Sequence, residues 1–355
     1  MPTSPTPDPW QARVTKAIEE RWLPPSVAPA SYTVPADRVE ETARAALDAA
    51  LTRDFRIGKF PQDSEYREML GKVRHWVGRG QPIRVKIGYA PMKNLNVVSE
   101  SRVDWAEFFA LCHLAAWDRK ISSVYPPGVR ICIIFDDSTI SMANRSERPQ
   151  MKAYMSSVWD LVGAMGYRSL IVRTMKQSSF AWLFHFGPYQ IARRRVRRWE
   201  QDPANREQLE MMHEFAKRNV VTPPGLDAEA RERYCREASH RYRVYWQALQ
   251  LSGFSKLGND LIAMYLDGSQ HHIRQQAAFH LRTLSKEQVT QPWQGEGALR
   301  DNGRGALLPF ALTSQRRQRY ETTVVSGLNV IPLPGFDRIQ VAREREAPEP
   351  GGGHA

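Results

Sequence analysis

The apolar positions of this chain change their spacing along its length. Val14, Ile18 and Trp22 recur every four residues between Trp10 and Trp22, and Pro24-Pro25 follows. That spacing predicts a helix with a stop. Asp37 to Leu51 places Val39, Ala43, Leu47 and Leu51 on one helical face, and Asp63 or Ser64 can cap a third helix that runs to Val77 and breaks at Gly78-Arg79-Gly80. Ile83-Arg84-Val85-Lys86-Ile87 then alternates with period two, which predicts a strand. Asp104 to Tyr125 returns to helical spacing, with Phe108, Leu111, Cys112, Ala115, Ala116 and Ile121 on its apolar face, and Pro126-Pro127-Gly128 ends it. Val129 to Phe135 is almost entirely apolar, as in a strand covered on both faces. Gln150 to Met165 reads as a helix closed by Gly166, and Ser169 to Val172 as a third strand.

The order β-α-β-α-β calls for parallel strands joined by helical crossovers, an α/β fold with a Rossmann-like core. Tyr189 to Met264 is mainly helical, and Ala277 to Thr283, Gly305 to Leu312 and Thr322 to Ile331 are strand candidates that extend the same sheet or cover one end of it. The expected organisation is a single catalytic domain over residues 10–343. It has a helical lead-in (10–80), a Rossmann-like core (81–176), a large helical insertion (189–266) and C-terminal strands (273–343). Met1 to Pro9 and the tail from Glu344 bury nothing and are expected to be unstructured.

Composition narrows the function. Hydrophobic residues at 42% and charged residues at 25% fit a globular chain rather than a disordered one. Cys112, Cys132 and Cys235 are widely spaced and form no paired metal motif, so they read as buried thiols of a reducing cytoplasm. No run approaches the ~18 apolar residues of a membrane span, and no membrane association is expected. Fifty Lys and Arg against 38 Asp and Glu leave a net charge of +12, which suits an anionic partner, either a nucleic acid or a phosphorylated small molecule. Five arginines crowd Arg193-Arg194-Arg195-Val196-Arg197-Arg198, with Glu200, Asp202 and Glu207 nearby to pair with them. A solvated helix face is the expectation there, and no aromatic stacking motif accompanies it, so nucleic acid is not the expected partner.

Ligands of an open parallel sheet bind beyond the carboxyl ends of its strands. The first strand, which contains Lys86, is followed by Gly88 to Asn96 with Lys93, Asn94 and Asn96. The second is followed by Asp136-Asp137-Ser138, and the third by Thr174-Met175-Lys176. Lys93 is either a point charge for phosphate, an amine nucleophile or a solvated loop residue. Asp136 or Asp137 is either a general base, a substrate ligand or a turn former. No Gly-x-Gly-x-x-Gly follows the first strand and no P-loop is present, which argues against dinucleotide and P-loop nucleotide sites. His271-His272 are adjacent and point apart on any regular element, His113 reads as a core residue, and His280 is open between core and site.

Taken together, the segments resemble the isonitrile (isocyanide) synthases of the pyoverdine/dityrosine biosynthesis superfamily. Ile87-Gly88-Tyr89-Ala90-Pro91-Met92-Lys93-Asn94-Leu95-Asn96 is similar to that family's Gly-Phe-Pro-Phe-Lys-Ser-Pro-Asn stretch. Asp104 to Leu114 is similar to its Pro-Asp-Leu-Ala-Glu…Leu…His-Leu helix, Tyr125-Pro126-Pro127-Gly128 to its Tyr-x-Pro-Gly, Asp136-Asp137-Ser138 to its Ser-Asp-Gly, and Gln291 to Gly295 to its Thr-Pro-Trp-His-Gly. The resemblance implies condensation of an amino acid or related amine with the ketone of ribulose 5-phosphate, as co-substrate, and fragmentation of the sugar to leave one carbon on nitrogen. It implies no metal and no redox cofactor, and a downstream oxygenase or peptide synthetase. By motif, Lys93 would bind or activate the sugar phosphate, Asn96 would position it, Asp136 or Asp137 would carry the family aspartate, and Trp293 and Gly295 would shape the pocket. Arg274 and His280 would share the role of the family's Ile-Arg-Leu-Ser-Ile-His. Lys86, Asn94, Lys176 and Gln294 complete the expected substrate set. Gln294 stands where the family has a histidine and cannot act as acid or base. A different C–N bond-forming or one-carbon reaction on the same scaffold, and a basic RNA-binding protein without catalysis, are the alternatives.

Overall fold

The computed structural model describes residues 9–22, 31–57, 59–95, 98–135, 137, 148–167, 170–174, 187–220, 222–251, 259–264, 279–282 and 292–345. The lead-in is helical as its spacing predicts: α1 (Pro9–Glu19), α2 (Val39–Ala50) and α3 (Asp63–Val77), with a two-residue strand β1 (Arg56–Ile57) between the last two. Gln62 rather than Asp63 or Ser64 precedes the first turn of α3, and its N–H donates to Glu65 Oε2 at 3.2 Å. The core alternates as expected: β2 (Ile83–Tyr89), α4 (Trp105–Ser122), β3 (Val129–Phe135), α5 (Arg148–Met165) and β4 (Leu170–Thr174). Helices α6 (Pro188–Gln201), α7 (Arg206–Asn219) and α8 (Ala228–Leu251) form the insertion before β5 (Leu261–Met264) and β6 (Phe279–Leu281).

The first sheet has the order β1-β6-β5-β2-β3-β4, parallel throughout except for β1. The chain steps outward from β2 through β3 to β4, then returns to the other side of β2 for β5 and β6. Strand order therefore reverses between β2 and β5, which opens a crevice at their carboxyl ends. Leu261–Met264, at the end of the stretch expected to be mainly helical, is instead a strand: the apolar run Leu-Ile-Ala-Met pairs in parallel with β2.

The C-terminal strands divide between the two arrangements expected for them. Only β6 extends the first sheet. A second sheet follows, made of β7 (Glu296–Asp301), β8 (Leu307–Leu312), β9 (Tyr320–Ser326) and β10 (Arg338–Glu344) in the order β8-β7-β10-β9, with a one-turn helix α9 (Ser314–Arg317) between β8 and β9. Pro9 and Glu344, expected in unstructured ends, lie in α1 and β10; the rest of both ends falls outside the described residues.

Alternation in β2 and β3 assigns the faces of the first sheet. Ile83, Val85, Ile87, Val129, Ile131 and Ile133 join the main core with α2 to α5. The opposite face meets α6 and α8 through Ile134, packed with Ala192, Val196, Val244, Tyr245 and Ala248. Helix α4 contacts both the first sheet and β7 and β8 of the second. It is buried nearly all round, not along one face: Trp105, Phe108 and Phe109 meet Phe336 and its neighbours, and Trp105 Nε1 donates to the Arg338 carbonyl at 2.8 Å.

Candidate active site

The parallel register of β2 and β3 pairs Tyr89 with Phe135, so the loop carrying Lys93 and the turn carrying Asp137 leave the sheet side by side. The Pro292–Gly295 turn arrives at the same place. Trp293 packs edge-on against Tyr89 with ring centroids 4.7 Å apart, and Asn94 N–H donates to the Trp293 carbonyl at 2.8 Å. The sequence therefore brings Lys93, Asn94, Asp137, Trp293, Gln294 and Gly295 to one end of the fold, although the last three lie some 200 residues beyond the first.

Lys93 is not a rim residue. It is 1% exposed, and its ammonium contacts Asp104 Oδ1 at 3.0 Å, Glu107 Oε2 at 3.1 Å, the Pro292 carbonyl at 3.2 Å and the Gly295 carbonyl at 2.8 Å. Those acceptors use all three N–H donors of an ammonium. The expectation that Lys93 grips a phosphate is corrected accordingly: it is an internal clamp that joins the β2 loop, the start of α4 and the 292–295 turn. Lys86 is corrected as well. It lies in mid-strand, three residues before the end of β2, and pairs with Asp260 at 3.1 Å ahead of β5. His280 lies in β6 in register with Met264, the last residue of β5. Asp136, Asn96, Lys176 and Arg274, and the His271-His272 pair, lie outside the described residues. His113 packs on Phe55 with centroids 5.0 Å apart. Cys112 and Cys235 are buried as expected, whereas Cys132 is half-buried.

The carboxylates around Lys93 arise from a local rule. Asp104 caps α4, its Oδ1 accepting from Ala106 N–H at 2.8 Å, and Glu107 three residues on accepts from Asp104 N–H at 2.9 Å. This reciprocal capping box fixes both carboxylates at the helix start. Tertiary structure adds the rest. Gly297 N–H of β7 donates to Asp104 Oδ1 at 3.0 Å, and the Tyr154 hydroxyl of α5 donates to Glu107 Oε1 at 2.8 Å. A Cβ on Gly297 would sit 2.1 Å from Ala106 N, so only glycine lets β7 approach α4 this closely.

Glu107, Tyr154 and Lys93 are almost wholly buried, while the Asp104 side chain retains 17% exposure. Burial pushes the Glu107 carboxyl up to about 8, against the pull of the Lys93 ammonium, and the Asp104 charge adds to the rise. For Lys93 burial is again the largest influence and opposes its charge, but Asp104 and Glu107 outweigh it and hold the ammonium above its ordinary range. Burial and the Glu107 charge likewise push the Tyr154 phenol well up. One cation facing two buried carboxylates carries an excess negative charge, and a proton on Glu107 removes it. The cluster can hold a proton on a carboxylic acid near neutral pH, with Asp104 as its outward member. Sequence reading included Asp104 and Glu107 in a motif but gave neither a role, and it missed Tyr154 and Gly297. The Asp-x-x-Glu capping spacing was the available signal for the first two. Among the described residues no group of three or more His, Cys, Asp or Glu side chains is arranged to hold a metal ion, and no helix is long and apolar enough to cross a membrane.

Residues 73–219 match the family model of pyoverdine/dityrosine biosynthesis proteins. That stretch contains Lys93, Asp104, Glu107 and Tyr154. A comparison with curated proteins gives no match. Among solved structures, PvcA from Pseudomonas aeruginosa aligns with a TM-score of 0.65 at 16% identity, covering 86% of this chain and 100% of PvcA. AlbC, a cyclodipeptide synthase from Streptomyces noursei, aligns at 0.31 with 13% identity over 52% of this chain and 82% of its own. Tryptophanyl-tRNA synthetase from Aeropyrum pernix aligns at 0.35 with 12% identity over 71% of this chain and 60% of its own. The chain therefore has the fold of PvcA over 86% of its length and carries the pattern of the pyoverdine/dityrosine biosynthesis proteins over residues 73–219.

Proposed function

We propose that this protein is an isonitrile-synthase-like enzyme that joins the amine of an amino acid to the ketone of ribulose 5-phosphate and fragments the sugar, leaving one carbon on nitrogen. The observation that carries this reading is the buried Lys93–Asp104–Glu107–Tyr154 cluster beneath the carboxyl edge of β2, next to the reversal of strand order. Condensation of an amine with a ketone and cleavage of the adduct both need protons delivered and removed. Glu107 is the group tuned for this near neutral pH. Asp104 is the outward member that links it to the strand edge, Tyr154 holds the oxygen that Lys93 does not touch, and Lys93 fixes both carboxyl groups. Asn94, Asp137, Trp293 and Gln294 face the substrates at the edge. In this reading the reaction takes place in the cytoplasm, uses neither metal nor redox cofactor, and hands its product to an oxygenase or a peptide synthetase.

The test is incubation with the proteinogenic amino acids and ribulose 5-phosphate, followed by mass spectrometry. A product that gains one carbon and loses two hydrogens relative to the amine supports the proposal. Absence of any amine-derived product with every amino acid overturns it. A second reading, another C–N bond-forming or one-carbon reaction, is favoured by Gln294, an amide where the family motif has a proton carrier. Consumption of both substrates with a different mass change would select it.

A further inference from the structure

The arginines of α6 are the clearest feature that this chemistry leaves unused. Ala192 and Val196 of α6 are buried against α8, while Arg193, Arg194, Arg195, Arg197 and Arg198 are all exposed. At 100° per residue, Arg193, Arg194, Arg197 and Arg198 share the outward face, and two of their pairings are i,i+4 contacts between like charges, which weaken a helix. The acids expected to neutralise them do not. Glu200 turns inward to His240 at 2.9 Å and to Arg243, and Asp202 accepts from Ala204 N–H at 3.0 Å. Among the described residues none of these five arginines has a carboxylate partner. The contrast with the neighbouring helices is direct: Lys217, Arg233, Arg236, Arg241 and Arg243 each pair with a glutamate.

The first sheet carries further arginines on the face that α6 packs against. Register places Arg84 beside Arg130, and Arg173 beside Ile134. All three arginines are exposed, and they lie on the sheet face that α6 covers through Ile134. Faces of parallel sheets are normally apolar and covered. Arginines directly opposite each other also repel. Asp260, an acid beside this face, is paired with Lys86.

We propose that this side of the molecule, the outward face of α6 together with Arg84, Arg130 and Arg173, binds the phosphate backbone of double-helical nucleic acid without reading its sequence. Arg193 to Arg198 rise ~7.5 Å along the helix axis, so the five charges lie about 1.9 Å apart on average along that axis, of the order of the ~1.7 Å per charge of a duplex. Guanidinium forks suit phosphate oxygens. Half-exposed Ile191 is the only exposed large apolar side chain of α6. That is too little for the apolar centre of a protein interface and in keeping with the polar, cationic character of nucleic-acid interfaces.

The experiment is fluorescence anisotropy of labelled DNA and RNA duplexes of random sequence with the full chain across a salt series. The triple substitution Arg194→Gln, Arg197→Gln, Arg198→Gln is compared with a control carrying the same charge change on exposed residues elsewhere, Arg304→Gln, Arg319→Gln, Arg345→Gln. Circular dichroism checks that both stay folded. The expected result is duplex binding that weakens steeply with salt, a tenfold or greater loss in the α6 variant, and a salt slope shallower by about 2.7, or 0.9 for each of three lost phosphate contacts. A stronger response with DNA or with RNA names the natural source. No binding, equal losses in both variants, or displacement of the duplex by an equal charge of poly-glutamate would overturn the proposal, the last in favour of an acidic protein. None of these outcomes depends on the amine chemistry.

Discussion

The Tyr154 hydroxyl and the Glu107 carboxylate meet at 2.8 Å between α5 and α4, and neither group reaches solvent. The phenol donates to the one carboxylate oxygen that neither Lys93 nor the α4 cap engages. Tyr154→Phe removes a donor and leaves a buried acceptor unmet, which costs about 1–3 kcal/mol. Because that hydrogen bond favours the charged carboxylate, its loss moves the Glu107 carboxyl further up. Urea titration measures the first effect. An alkaline limb of the activity profile displaced to higher pH reports the second, and an unmoved limb would separate Tyr154 from proton handling.

Glu107 also makes stability depend on pH. Its carboxyl sits at about 8 in the folded protein, against about 4.3 in an unfolded chain. Between those values the folded state holds a proton that the unfolded chain has released. The stabilisation is therefore complete below the unfolded value and is lost as pH rises through the folded one. Glu107→Gln stays neutral and should flatten the decline in melting temperature between pH 5 and pH 9. Parallel declines in wild type and variant would contradict the assignment.

Lys93→Met removes the cation from a site that keeps two carboxyl groups, one of them the charged Asp104, and two carbonyls turned inward. Removing one partner of a buried pair costs about 3–5 kcal/mol, so this variant loses both stability and turnover. Adding Asp104→Asn to Lys93→Met should recover part of the stability, because the Asp104 charge that Lys93 offset is then gone. Turnover should not return. The readout is the unfolding midpoint of the single and double variants beside their rates.

Gly297→Ala places a methyl group 2.1 Å from Ala106 N and must displace β7 from the start of α4. An overpacked core position costs about 1–3 kcal/mol. Loss of the Gly297 N–H to Asp104 should lower activity further. Gly303→Ala, which has open space around it but a φ of +71°, gives the comparison of backbone strain without a clash. Activity retained in the second variant and lost in the first would tie the effect to the β7–α4 contact.

Local pattern carried the elements that position this site, and it carried less of the site itself. Alternation in Ile83–Tyr89 and the apolar run Val129–Phe135 gave the central strands, and α4 and α5 lay between the expected breaks. Leu261–Met264 is not legible as a strand because four apolar residues have no measurable period and follow a 24-residue helix. β10 went unread because Arg338–Glu344 is mixed in polarity, and β7 because Glu296–Asp301 starts and ends on acids. The position of Lys93 at the end of the first strand was legible. Its burial was not, because the groups that surround it come from α4 and from the 292–295 turn. Tyr154 and Gly297 reach the cluster only through long-range packing, which no spacing in their own segments records.

The clamp on Lys93 also bears on the order in which the protein becomes whole. Its carboxylate partners follow it by 11 and 14 residues, but the two carbonyls that complete its shell belong to Pro292 and Gly295. A growing polypeptide can therefore lay down the first sheet and the capped start of α4 while the lysine stays open on one side. The shell around the ammonium closes only when the last part of the chain has been synthesised and has docked. A product cut short before Pro292 would have the Rossmann-like half of the fold and leave Lys93 without its two carbonyl partners.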